Sequence, residues 1–312
     1  MPLRITTVDS IRTVEKLSPF RYPGGKTWLV PIVRSWLKSL DTKPAEFVEP
    51  FAGGASVGLA VANEHLASLV ILAEKDDDIA AVWMTILSDD SAWLAKQVSD
   101  FKLDSASVSE WLSKNDMSVR DRAFRTILAN RVSHGGKLAP GSGLLNKGEN
   151  GHGLHSRWYA KTLSDRILKV GQLKNRIFFQ HGDGIKLMES KVGATDDVFF
   201  IDPPYAKAGS RLYRLSEMDY EALFRLAARL KGSFLMTYDD STSIKKLALD
   251  QGFEVELIVM KNTQYRDRTE LLIGRNLSWF RDYVALVQQP ELFQGAEALG
   301  ATGIDGTDQD RG

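Results

Sequence analysis

The sequence predicts an α/β fold: a mostly parallel sheet with an antiparallel hairpin at one edge, interrupted by an inserted and mainly helical segment. Three observations predict it. Short apolar runs at Glu46–Pro50, Leu69–Ala73, Ile177–Gln180, Val198–Ile201 and Ser233–Thr237 each have helical patterning nearby, as crossover connections between parallel strands require. Two further runs, Phe253–Met260 and Glu270–Gly274, are joined only by a polar loop, which suits an antiparallel pair. From about Asp90 to Leu173 the strand rhythm stops, and helical pattern gives way to a Gly-rich segment, Ser133–Leu154.

Taken in chain order, the first element is an amphipathic helix over Lys26–Leu40. Trp28, Leu29, Ile32, Val33, Trp36, Leu37 and Leu40 recur at helical spacing, with Pro31 near the start, where a missing amide is tolerated. The strand Glu46–Pro50 then runs through a glycine turn into the helical stretch Ser56–Asn63. Residues 16–89 and 174–290 are expected to form the sheet domain, and 90–173 the inserted one. In the Gly-rich segment two readings stay open, a loop mobile until it meets a partner and a hairpin ordered by itself. After Gly295 the chain is rich in Gly, Asp and Thr without apolar period, so 295–312 is expected to be disordered.

Composition narrows the function classes. Of 312 residues, 43% are hydrophobic and 26% charged, and no apolar run is long enough to span a bilayer. Met1 to Glu15 mixes charges with short apolar stretches and does not read as a secretory signal, so a cytoplasmic protein with no membrane partner is expected. Cysteine is absent, which removes disulfides, thiolate zinc sites and a cysteine nucleophile. The five histidines lack zinc-binding spacing, so no metal is expected. Net charge is zero, yet from Arg120 to Arg176 twelve Lys/Arg face three acids. That local excess suits phosphate contact, although a solvated helix face would explain part of it.

Two motifs carry the chemistry. In Glu49-Pro50-Phe51-Ala52-Gly53-Gly54-Ala55 a strand ends in a glycine turn, where the backbone can approach a ligand closely at the carboxyl edge of the sheet. The next strand leads to Glu74, about twenty residues beyond Gly54, the spacing at which an acid grips ribose hydroxyls. Together these predict an adenosine-containing ligand, against the plainer alternative of a tight turn and a surface acid. The second motif, Asp202-Pro203-Pro204-Tyr205, follows Val198–Ile201. Its prolines remove two amide donors and leave carbonyls that only accept, while Tyr205 offers a flat face for stacking a base. An exocyclic amine placed there would give its hydrogens to Asp202 and a proline carbonyl. By chance the tetrapeptide arises in a chain of this length on the order of once in a thousand, which favours function over an incidental stiff turn.

On these residues the chain resembles the Dam-like family of adenine-N6 DNA methyltransferases, in the motif order that puts target recognition between cofactor and catalytic motifs. The resemblance runs from Pro19-Phe20-Arg21-Tyr22-Pro23-Gly24-Gly25-Lys26 through Glu49–Gly54, Glu74 and Asp202–Tyr205 to about Asn276. It implies a Rossmann-like methyltransferase sheet, S-adenosylmethionine as methyl donor, and double-stranded DNA as partner. Tyr22, Gly24, Gly25, Lys26, Phe51, Ala52, Gly53, Gly54, Ser56, Glu74, Asp183 and Asp202 would bind the donor. Asp202, Pro203, Pro204 and Tyr205 would hold a flipped adenine, and Arg131, His134, Lys137, Lys147 and Arg157 in the basic insert would contact DNA. Prokaryotic or phage-type restriction-modification is the setting such enzymes imply. The sequence departs from the pattern at Ala55, where the family's turn has a third glycine, and at Glu74, where Asp is common. Asn130-Arg131-Val132-Ser133-His134-Gly135-Gly136-Lys137 matches the family's recognition loop only in outline.

Rival readings are answered by the same residues. Gly25-Lys26-Thr27 mimics the end of a phosphate-binding P-loop, but Phe20 stands where that loop needs glycine and no buried strand precedes it. Cytosine-C5 methylation is excluded by the missing cysteine. Cytosine-N4 methylation shares the amine geometry, but such enzymes by resemblance usually have Ser in place of Asp202. RNA adenine methylation and a catalytically inactive DNA-binding module on the same scaffold complete the alternatives.

Overall fold

The computed structural model describes residues 3–4, 14–21, 25–133, 145, 151–204, 218–261 and 267–288. In chain order they form β1 (Leu3–Arg4), a 3-10 turn (Thr27–Leu29) entering α1 (Val30–Lys38), β2 (Glu46–Glu49), α2 (Ser56–Asn63), β3 (Leu69–Glu74) and α3 (Asp77–Ile86). The helices α4 (Ser91–Asp100), α5 (Ser105–Ser113) and α6 (Val119–Val132), a 3-10 segment (Gly153–Arg157) and α7 (Ala160–Gly171) follow without a strand longer than an isolated bridge. The chain then returns to β4 (Ile177–His181), α8 (Gly184–Ser190), β5 (Asp197–Ile201), α9 (Tyr220–Arg229), β6 (Ser233–Asp239), α10 (Thr242–Asp250), β7 (Glu254–Lys261), β8 (Asp267–Gly274) and α11 (Ser278–Gln288). The 295–312 tail and most of Ser133–Leu154 lie outside the described residues.

The strands make one sheet in the order β1-β7-β8-β6-β5-β2-β3-β4. β6, β5, β2, β3 and β4 are parallel, while β8 runs antiparallel to both β6 and β7. The expected edge hairpin is therefore present, with the two-residue β1 paired parallel outside it. From β2 the chain winds outward through β3 and β4, then returns to lay β5 on the other side of β2. That reversal opens a crevice beyond the carboxyl ends of β2 and β5, where ligands bind in sheets of this kind.

Burial explains why the central strands read as continuous apolar runs. In β5 every residue is buried, with Val198 and Phe200 in one core cluster and Phe199 and Ile201 in the other. The same alternation splits Phe47 from Val48 and Val70 from Ile71, because successive side chains point to opposite faces. Helices α1, α2 and α3 cover the first face, and α8, α9 and α10 the second. Side chains of the insert, including Leu94, Val98, Phe124, Ile127 and Ile167, join the first cluster. Phe101, Trp111 and Trp158 close edge-on around Phe124 or one another at 4.7–5.8 Å. The insert thus shares the hydrophobic core of the sheet.

Helix starts follow local chemistry. Asp76, Asp104, Ser118, Asp183 and Asp219 each accept a backbone amide in the first turn of their helix. The first helix begins later than the spacing predicts, since Thr27–Leu29 is a tighter 3-10 turn and Pro31 sits in the opening turn of α1.

Candidate functional site

The glycine turn after β2 is held from three directions. Ala52 donates its amide to the Ala73 carbonyl on β3, the Gly53 amide reaches Glu74 Oε2 at 2.9 Å, and Trp83 Nε1 on α3 donates to the Gly53 carbonyl at 2.9 Å. Gly53 and Ala55 both take left-handed backbone angles, φ 45° and 47°. Ala55 therefore holds a conformation that ordinarily favours glycine, at the position where the family pattern has one. Its carbonyl still accepts the Leu59 amide and starts α2.

Glu74 ends β3 and faces this turn. Besides the Gly53 amide, its other oxygen accepts the amides of Lys75 and Asp76, each at 2.8 Å. Burial raises its pKa above the usual carboxylate value, and the amides of Asp76, Gly53 and Lys75 partly oppose that rise. Asp183 lies nearby as the N-cap of α8, 3.2 Å from Lys75 Nζ. The adjoining Gly184 sits so close to the end of β2 that an added Cβ would stand 1.9 Å from the Pro50 carbonyl oxygen. Asp183 is thus tied to the same carboxyl edge by a close backbone contact.

Asp202 follows β5 directly. Its Oδ1 accepts from Thr237 on β6 at 2.8 Å and lies 3.1 Å from Lys26 Nζ. Lys26 is only 4% exposed and also faces Glu270 on β8, at 3.5 Å. Burial pulls the Lys26 pKa down, but Asp202 and Glu270 outweigh it, so the ammonium is held above its ordinary value. Glu49, buried at the end of β2, accepts the Gly58 amide at 2.8 Å. Burial drives its pKa well above the carboxylate range, and the charge of Asp202 adds to the rise. Pro203 is buried, and the Pro204 carbonyl accepts from the hydroxyls of Tyr220 at 3.1 Å and Tyr238 at 3.3 Å. Among the described residues no donor meets the Pro203 carbonyl.

The expected site residues separate into groups. Lys26 meets Asp202, and Gly53 meets Glu74. Phe51, Ala52, Gly54 and Ser56 lie along the same turn, and Gly25 and Ser56 border a cleft of about 380 Å3 together with Thr27, Lys16, Arg21 and Arg166. Tyr22, Gly24, Tyr205, His134, Lys137 and Lys147 lie outside the described residues. Arg157 is half-buried and donates to the Ser133 carbonyl at 3.3 Å. Arg131 differs from the expectation of a surface phosphate contact. It is 4% exposed, and its guanidinium donates to the Pro19 carbonyl. Burial, with the charges of Arg166, Arg21 and Arg157, lowers its pKa to about 9. Arg131 lies one turn beyond Ile127 and two beyond Phe124, both buried, so its position on α6 turns the side chain inward.

Several participants were missed in the sequence. Thr237 and Glu270 close the cluster around Lys26 and Asp202, and Tyr220 and Tyr238 occupy the Pro204 carbonyl. One signal was available for Glu270, an acid opening the apolar run Leu271-Leu272-Ile273. Asn130 was quoted only as part of a loop, yet its carboxamide accepts the Arg21 amide at 2.8 Å and donates to the Arg21 carbonyl at 3.0 Å. Among the described residues no group of metal-ligating side chains is found, and no helix is long and apolar enough to cross a membrane.

The model of the D12 class N6 adenine-specific DNA methyltransferase family matches residues 22–265. No curated protein matches the chain. Similar solved structures include the rRNA methyltransferase aviRa from Streptomyces viridochromogenes, at 16% identity and TM-score 0.41, covering 86% of this chain and 93% of that one. Another is a precorrin-6y C5,15-methyltransferase from Geobacter metallireducens, at 10% identity and TM-score 0.35, covering 78% of this chain and 85% of that one. At these scores the structural likenesses carry no argument about substrate.

Proposed function

Because the chain belongs to the D12 class N6 adenine-specific DNA methyltransferase family, we propose that it methylates the exocyclic N6 of an adenine flipped out of double-stranded DNA, with S-adenosylmethionine as donor. One observation carries the reading. The 3.1 Å contact between Lys26 and Asp202 joins the Gly25-Lys26 segment to the carboxylate of the tetrapeptide, at the point where the sheet reverses its winding.

The residues present fit the donor. A carboxylate offers about four acceptor positions, and three amides use those of Glu74, which leaves capacity for a ribose hydroxyl. The cleft of about 380 Å3 beside Gly25 and Ser56 falls within the range of small-ligand sites. In this reading Tyr22, Gly24, Gly25, Lys26, Phe51, Ala52, Gly53, Gly54, Ser56, Glu74, Asp183 and Asp202 hold the donor. When bound, S-adenosylmethionine supplies a methyl group on a positively charged sulfur, and its carbon–sulfur bond breaks as the nitrogen–carbon bond forms.

Asp202 and the Pro203 carbonyl accept the two amine hydrogens, turning the nitrogen lone pair out of conjugation with the ring. The Pro204 carbonyl is engaged by Tyr220 and Tyr238, so Pro203 is the proline that serves the amine. Tyr205 stacks on the flipped base. Asp202 need not be a strong base, since the nitrogen becomes acidic once methylated and its proton leaves to solvent. Positioning and fixed charges supply most of the rate enhancement. Residues 90–173 act as the recognition segment, with His134, Lys137, Lys147 and Arg157 as its DNA contacts, while Arg131 supports the Pro19 backbone from inside. A DNA substrate implies that the enzyme works within the cell.

The test is to incubate unmethylated double-stranded DNA with the protein and S-adenosylmethionine and map modified bases. N6-methyladenine in a defined sequence context is the expected product. N4-methylcytosine alone, methylation of RNA alone, or donor binding without any transfer would overturn the reading.

A further inference from the structure

The segment Ser18–Arg21 forms neither helix nor strand, so its backbone groups need partners outside regular structure. Three side chains of the insert supply them. Asn130 on α6 accepts the Arg21 amide at 2.8 Å and donates to the Arg21 carbonyl at 3.0 Å. Its neighbour Arg131 donates to the Pro19 carbonyl, and Arg166 on α7 donates to the Ser18 carbonyl at 3.2 Å. By engaging both backbone groups of one residue, the Asn130 carboxamide copies the exchanged bonds of an antiparallel strand pair. Asparagine is a poor helix former, and burying its carboxamide is unfavourable unless it is bonded. At 1% exposure on α6, the two Arg21 bonds offset that cost.

The segment held in this way is a wall of the cleft of about 380 Å3, which Ser18, Phe20 and Arg21 border together with Gly25 and Ser56. Five residues after Arg21 the chain reaches Lys26, which meets Asp202. We propose that Asn130 is a positioning residue for the methyl donor, holding the Ser18–Arg21 wall of the donor cleft in its binding shape from the recognition insert. This rests on the function proposed above, in which the donor occupies that cleft. Without the carboxamide, the donor must order the wall as it binds, and the cost is taken from affinity. Two neutral hydrogen bonds of ordinary net strength set an upper bound of about thirtyfold on the loss. About tenfold is expected, since Arg131 and Arg166 still hold the same segment. Once the donor is bound the wall is ordered again, so the transfer step should run at nearly the wild-type rate.

The experiment measures donor affinity by titration calorimetry on the full chain with S-adenosylmethionine, and kcat for methyl transfer to DNA at saturating donor. Asn130→Ala is expected to weaken donor binding about tenfold while kcat stays within about twofold of wild type. Asn130→Asp keeps an acceptor for the Arg21 amide and loses the donor to its carbonyl. It should fall between wild type and Asn130→Ala, and it carries the test if Asn130→Ala does not fold. Thr126→Val is the control for a merely structural role. Thr126 is also buried on α6, one turn earlier, but its hydroxyl bonds within the helix, to the Arg122 carbonyl at 2.8 Å. Its variant should lower the urea midpoint without moving donor affinity. Unchanged donor affinity in the folded Asn130 variants, a fall in kcat alone, or equal weakening by Thr126→Val would overturn the proposal. Wild-type protein that binds no S-adenosylmethionine would instead overturn the donor assignment on which it rests.

Discussion

Replacing Lys26 by Met is the perturbation with the largest consequence that the structure defines. The ammonium is 4% exposed and lies 3.1 Å from Asp202 and 3.5 Å from Glu270, whose side chains are 21% and 3% exposed. Without it, two carboxylates face one another in a low-dielectric interior with their shared cation gone. Breaking a buried pair from one side typically costs about 3–5 kcal/mol, and exposure this low gives little solvent screening to discount. The loss depends on pH in a direction that can be worked out. In the variant, mutual repulsion and burial raise the folded-state pKa of one carboxylate above its unfolded value. The folded state then binds the extra proton, so stability falls as pH rises through that window and recovers toward pH 5. Wild-type protein loses stability in the same direction, but only at the alkaline end of the scale. Its raised Lys26 pKa contributes stability that is present below the ordinary lysine value of 10.5 and lost only as pH rises beyond it. Urea unfolding of both proteins at pH 5, 7 and 9 is the assay. A loss under about 1 kcal/mol at pH 7 with no recovery at pH 5 would refute the reasoning. The double variant Lys26→Met/Glu270→Met gives a second check, since removing one of the two carboxylates that shared the ammonium should restore stability relative to Lys26→Met alone.

Other substitutions separate chemistry from support. Asp202→Ala should lower methyl transfer at least about a hundredfold while circular dichroism shows the fold retained, because Lys26 keeps Glu270 as its counter-ion; near-normal turnover would remove Asp202 from the mechanism. Glu49→Gln should leave activity intact at neutral pH, since burial already keeps this acid protonated well above the usual carboxylate range. It should also abolish the part of stability that wild-type protein loses as pH rises from about 4.5 through the raised value, and identical pH–stability curves would contradict this. Gly184→Ala forces a Cβ against the Pro50 carbonyl, with an expected loss of about 1–3 kcal/mol and weaker donor binding, checked by thermal unfolding and calorimetry. Arg131→Met should leave the salt dependence of DNA binding unchanged, because the guanidinium points at Pro19. A flatter salt slope would return Arg131 to the DNA surface.

Sequence alone determined the two features with the strongest local signatures. The strands that carry the site were legible because β2, β3 and β5 are buried on both faces and so read as apolar runs. Asp202-Pro203-Pro204-Tyr205 and the turn Glu49–Gly54 were legible because each is contiguous and chemically unusual, and both lie within the residues 22–265 that the family model matches. Sheet order decided what those motifs meet. Asp202 and Lys26 are far apart in sequence, and only the placement of β5 beside β2, with β6 and β8 following, brings Thr237 and Glu270 onto the same two side chains. Burial decided the rest. Arg131 carries the charge of a phosphate contact, but its position on α6 turns that charge to a backbone carbonyl. Charge and spacing along a chain are one-dimensional, whereas the neighbours and dielectric that set a charged group's role come from elements that meet only on folding.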